Sequence, residues 1–177
     1  MAHNTGLFIR KTDGYHNFTE FDNATLPGIV VPQAGDNHQS RAESLEIVSF
    51  AVRGAGPGIR LGPMDAISPQ LASIDQERQM QLVYGAPELT IRILWPGYPA
   101  WEKRVPVGGP NVKIPLSRFA AVLAAAVMQY LKEMSVTASS EGRADWWISR
   151  VGVESLVLLE ARRTGPGTWQ PVLCRVV

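Results

Sequence analysis

The sequence predicts an α+β fold: an antiparallel sheet of about five strands, one long helix packed on one face, and an irregular N-terminal arm. Three observations carry this. The segment Leu116–Ser135 combines helical apolar spacing with a run of alanines. Five segments have strand patterning: Leu45–Val52, Leu89–Trp95, Trp101–Val107, Val153–Arg162 and Trp169–Val177. Most are joined by short Gly- and Pro-rich turns, and local connections favour antiparallel neighbours. Residues 1–44 form the arm and residues 45–177 a single domain, long enough to bury a core without staples.

The arm is rich in Asn, Asp, Gly, Thr and His, with a short strand expected at Gly28–Pro32 and an exposed loop at Gln33–Ser40. Leu45–Val52 carries Ile47, Val48, Phe50 and Val52 on both faces, the pattern of a central strand. The glycines of Gly54–Gly58 end it. Ile59–Gln70 reads as a loop because Pro63 and Pro69 oppose regular structure. Ile74, Arg78 and Leu82 have helical spacing, which allows a short helix capped by Ser73. Leu89, Ile91, Ile93 and Trp95 share one face of a strand, and Trp101, Lys103, Val105 and Val107 one face of the next, with Pro96–Pro99 as the turn. In Leu116–Ser135, Phe119, Leu123, Val127, Tyr130 and Met134 make one stripe, and the alanines keep the helix thin enough to lie close to a sheet. Gly165 and Gly167 supply the turn of a terminal hairpin, and the arginines around it (Arg143, Arg150, Arg162, Arg163 and Arg175) offer either an anion or RNA surface beside Trp169 or, more commonly for such positions, sheet-edge charges.

Composition narrows the function classes. Hydrophobic residues are 45% and charged residues 19%, with Lys+Arg 17 against Asp+Glu 16. Such balance lacks the basic footprint that bulk nucleic-acid binding needs. No basic segment followed by an apolar run opens the chain, and the apolar stretch Phe119–Met128 is too short to span a bilayer. A cytoplasmic or nuclear location is the expectation. A lone Cys174 makes neither an internal disulfide nor a thiolate zinc site.

No catalytic constellation emerges from the spacing. His3, His16 and His38 all lie in the arm, away from Cys174, and the scattered Asp13, Asp22 and Asp36 have no metal-ligand spacing. Gly54–Arg60 follows a strand but lacks the Lys-Ser/Thr ending of a phosphate loop. No catalytic residue, metal or cofactor is expected. The second half runs Ile93-Leu-Trp-Pro-Gly-Tyr98, Trp101, the alanine-rich helix, Trp146-Trp147, Arg150-Val-Gly152, Leu156-Val-Leu-Leu159 and Gly167-Thr-Trp-Gln-Pro171. In this it resembles a family of uncharacterised fungal proteins, a resemblance that implies no activity.

The aromatic residues are the sharpest feature. Trp95, Tyr98 and Trp101 gather around one turn and Trp146-Trp147 form a second group, so these five are the candidate interaction or ligand-binding residues. If Trp146 and Trp147 lie in an extended segment, they face opposite ways and one is left for a surface. The first expectation is a non-enzymatic, self-associating interaction module, its partner another copy or another protein. The second is a small-ligand binder of carbohydrate type that stacks on exposed Trp or Tyr. The third is a hydrolase pairing Asp145 with Glu160 or Glu102, since apolar neighbours raise a carboxyl pKa toward general-acid values.

Overall fold

A computed structural model describes residues 26–33, 46–53, 55–74, 79–81, 88–108, 113–140 and 144–176. Most of the arm, including Asp13, His16, Asp22, Asp36 and His38, lies outside the described residues. The strands are β1 (Ile29–Val30), β2 (Ile47–Ser49), β3 (Ala51–Val52), β4 (Gly56–Pro57), β5 (Ile59–Arg60), β6 (Gln79–Gln81), β7 (Glu88–Ile93), β8 (Trp101–Pro106), β9 (Lys113–Pro115), β10 (Leu156–Gly165) and β11 (Thr168–Arg175). The helices are α1 (Met64–Ala72) and α2 (Leu116–Met134), and three 3-10 turns span Ala144–Trp146, Ile148–Arg150 and Val153–Ser155.

The fold is α+β. Its main sheet runs β2-β10-β11-β7-β8, with β1 added beside β11 and β5 beside β10. Every pair is antiparallel except β11 with β7, matched at Thr168↔Thr90 and Trp169↔Ile91. The five-strand path agrees with the sequence reading, and the parallel pair is a difference from it. The pair arises because the terminal hairpin β10–β11 inserts between β2 and β7 instead of adding at an edge. Arg162 therefore sits mid-sheet and buried, not at an edge: its Nε donates to Glu160 Oε1 at 2.7 Å, and both residues are almost solvent-free.

The first strand is broken where one continuous strand was expected. β2 pairs with β10 until Phe50, whose N–H reaches Leu159 O at 2.9 Å. The chain then makes the small β3–β4 hairpin and returns as β5. Gly58 permits this return: its φ is +84°, and a Cβ there would lie 2.3 Å from Val157 Cγ1.

α1 occupies part of the stretch expected as loop, despite Pro69 inside it. Docking outweighs the lost hydrogen bond. The Gln70 carboxamide accepts from Arg60 N and donates to Arg60 O, each at 2.9 Å, and Ile67 is fully buried. Ser73 ends α1 instead of starting a helix, and Gln79–Gln81 is a strand paired with β9. Here tertiary pairing overrides a three-residue spacing signal.

The core lies between one face of the sheet and α2. Phe119, Leu123, Val127 and Tyr130 of the predicted stripe are fully buried. Phe119 meets Trp169 edge-on at 5.0 Å and Phe50 at 6.3 Å. Leu89, Ile91 and Ile93 of β7 and Leu156, Leu158 and Ala161 of β10 face this core. Val157, Leu159 and Cys174 form a separate cluster with Leu26, Val30 and Val176. A register shift between Leu158 and Glu160 resets the alternation, so Glu160 and Arg162 point away from α2 beside Gln170. No helix among the described residues is long and apolar enough to cross a membrane.

Candidate functional site

The five aromatic candidates have different fates. Trp95 follows β7 and is buried; its indole N–H donates to Trp146 O at 2.7 Å, and its ring meets Trp146 edge-on at 6.4 Å. Trp146 is itself buried, with Nε1 unpartnered. Tyr98 closes a turn by donating its N–H to Trp95 O at 3.1 Å, with Gly97 at φ 77°. The Tyr98 hydroxyl is not at an open tip. It accepts the Ile148 N–H at 3.0 Å and so pins the second 3-10 turn. Trp101 starts β8 half-buried, edge-on to Tyr130 at 5.7 Å, with its indole N–H donated to Glu133 Oε2 at 2.7 Å. Trp147 is half-buried and carries the Arg150 guanidinium 4.8 Å above its ring.

Trp95 and Trp101 thus meet the buried Tyr130 ring, and Trp146 packs behind Trp95, as a structural cluster. Tyr130 lies 6.3 Å from Trp95, and its hydroxyl has no partner. Burial pushes this phenol well above its usual pKa, and Tyr98 adds to the effect. Trp146 and Trp147 part company because Trp147 is the extended residue between two 3-10 turns: Trp146 is buried and Trp147 half-buried.

The carboxylates do not assemble. Asp145 is exposed, and its main-chain carbonyl accepts a hydrogen bond from Arg175 Nη1. Glu102 is half-exposed and pairs with Arg92 at 3.2 Å. Glu160 is fully buried, with Oε1 on Arg162 and Oε2 unpartnered. Burial pushes its carboxyl above the usual range, and Arg162 offsets only part of this. The acid–base pair expected of Asp145 with Glu160 is not formed, because one group is in solvent and the other inside the sheet. Cys174 is fully buried on β11, where burial pushes its thiol up to about 11, the behaviour of an inert cysteine. No group of three or more His, Cys, Asp or Glu able to hold a metal exists among the described residues.

An apolar groove of about 430 Å³ is the site that sequence reasoning missed. Three distant parts of the chain build it. Met128, Leu131, Lys132 and Ser135 come from the last turns of α2 and its end. Gly62 and Pro63 come from the entry to α1, and Ile148, Val151 and Val153 from the 3-10 turns. The hydrogen bond from Ile148 N to Tyr98 fixes one wall, so the aromatic cluster supports the groove from behind. Two of the most exposed large hydrophobic residues flank it: Met64 follows Pro63 and is 47% exposed, and Val136 follows Ser135 and is 91% exposed. A sequence signal did exist, in the apolar Ile148, Val151 and Val153, but they follow no helical or strand period. No family model matches the chain, and neither a curated protein nor a solved structure matches it.

Proposed function

We propose that the protein is a non-enzymatic, self-associating interaction module that uses the groove between α1, α2 and the 3-10 turns as its contact surface. The observation that carries this reading is a largely apolar groove whose lining residues Pro63 and Ser135 are followed in the chain by exposed Met64 and Val136. Contiguous apolar surface on a folded domain marks an interaction site more often than scattered residues do. Covering it recovers roughly 25 cal/mol per Å² of apolar area. A second copy of the chain supplies the same exposed residues, and self-complementary patches favour closed dimers.

The groove volume also suits a small apolar ligand, which keeps a ligand-binding role as the second reading. That ligand would sit in the groove and not on the tryptophans, because Trp95 and Trp146 are buried and Trp147 is capped by Arg150.

Native mass spectrometry separates the two. A whole-number multiple of the chain mass that falls to the monomer in Met64→Lys and Val136→Lys supports self-association through the groove. These residues are exposed, so the fold tolerates the substitutions. A monomer carrying extra non-covalent mass supports the ligand reading. A bare monomer at micromolar concentration overturns both.

A further inference from the structure

The segment Leu26–Gln33 is fastened along β11 by a two-residue ladder and one side-chain clamp. β1 pairs at Ile29↔Arg175 and Val30↔Cys174, and Val31 N donates to Leu173 O at 2.9 Å. Gln33 completes the attachment. Its Nε2 donates to Pro171 O at 2.6 Å, and its Oε1 accepts from Gln170 Nε2 at 3.0 Å and Leu94 N at 3.3 Å. One carboxamide thus bridges β11 and the end of β7 where those strands part, since they pair only at Thr168 and Trp169.

The seat is shaped for this segment. A Cβ on Gly28 would lie 2.0 Å from Arg175 O and 2.8 Å from Val176 Cα, both backbone atoms that cannot yield. Leu26 and Val30 pack against the cluster of Val157, Leu159 and Cys174. This cluster is separate from the main core, and of the segment's side chains Val31 alone belongs to the main core. Elements held by few contacts open at less cost than the global fold. What they uncover here is a sheet edge with side-chain pockets, the architecture of a strand-addition site.

We infer that the β11 edge from Pro171 to Arg175 is a strand-addition site, filled in cis by Leu26–Gln33 and able to take the same segment from a second copy. A glycine against the Arg175 carbonyl, apolar residues at positions 26 and 30 and a carboxamide at position 33 are the recognition pattern. This inference rests on the self-association reading but uses a different surface from the groove.

The test uses the full chain and its single cysteine. In the wild type, Cys174 resists an aromatic disulfide reagent, whereas in Gly28→Ala the segment leaves its seat and labelling accelerates at least tenfold with secondary structure retained. A synthetic Leu26–Gln33 peptide then slows labelling of this variant at least fivefold, and the same peptide carrying Gly28→Ala does not. If Gly28→Ala fails to fold, Gln33→Ala is used in the same assay, because it loosens the segment without a clash. Cys174 that stays protected in a folded variant, or a peptide that gives no protection, overturns the inference. A wild-type multimer that persists beside a negative peptide result leaves the groove reading standing while this one falls.

Discussion

Breaking the ion pair inside β10 tests the reasoning about the second face of the sheet. Glu160 is fully buried and Arg162 is 3% exposed, joined by one 2.7 Å hydrogen bond. Arg162→Met leaves an uncompensated carboxylate in the sheet, and Glu160→Met leaves a guanidinium there. Removing one partner of a buried pair costs about 3–5 kcal/mol. For a chain of 177 residues this lowers the melting temperature by about 10 °C. The two losses differ in character. Glu160 can take a proton, so the Arg162→Met deficit shrinks in acid, whereas an arginine cannot be neutralised. The double variant Glu160→Met/Arg162→Met removes both charges and falls within about 1–2 kcal/mol of the wild type, because an apolar replacement avoids the desolvation cost. Urea unfolding of all four proteins at one pH gives the coupling energy, provided m is unchanged. A double variant as unstable as the sum of the singles would refute the argument.

Two further outcomes follow from buried polar atoms. Tyr130→Phe removes a hydroxyl that is solvent-free and unpartnered, and it raises stability by about 1 kcal/mol; a thermal midpoint lower than that of the wild type contradicts this. Glu160→Gln alters the pH dependence. The folded carboxyl titrates above its ordinary value of 4.5, so its contribution is fully present below that pH and is lost as pH rises through the folded value. The wild type therefore gains stability relative to Glu160→Gln on going from pH 7.5 to 5, and a difference independent of pH, or of opposite sign, removes Glu160 as the cause.

The legible parts of the fold were those with a strong period. The stripe through Phe119, Leu123, Val127 and Tyr130 and the alternation of Leu89, Ile91 and Ile93 found their places because each has one face to bury. The position of the terminal hairpin was not legible, since alternation says which face is buried and nothing about which strands are neighbours. α1 was hidden by Pro69, as its stability comes from the Gln70 clamp on Arg60, two residues ten apart that no local pattern joins. The candidate groove was hidden for the same reason: its walls come from three separate parts of the chain. The aromatic candidates drew attention through their bulk. Yet Trp95 and Trp146 are core, Tyr98 is a half-buried fastening, and Trp101 and Trp147 likewise retain partial exposure.

The insertion of β10 and β11 between β2 and β7 bears on how the molecule is made. In synthesis from the N-terminus, β2, β7, β8 and α2 leave the ribosome first, yet β2 and β7 share no ladder and are joined only through the hairpin that comes later. The nascent chain must keep two unpaired strand edges and the apolar face of α2 waiting until about Arg175 has emerged. Sheet closure is then one late, long-range event, the class of step that folds slowly and exposes a chain to aggregation. A chain stopped at Gly165 would lack the middle of its sheet, not its edge, and would have no smaller version of the fold to adopt.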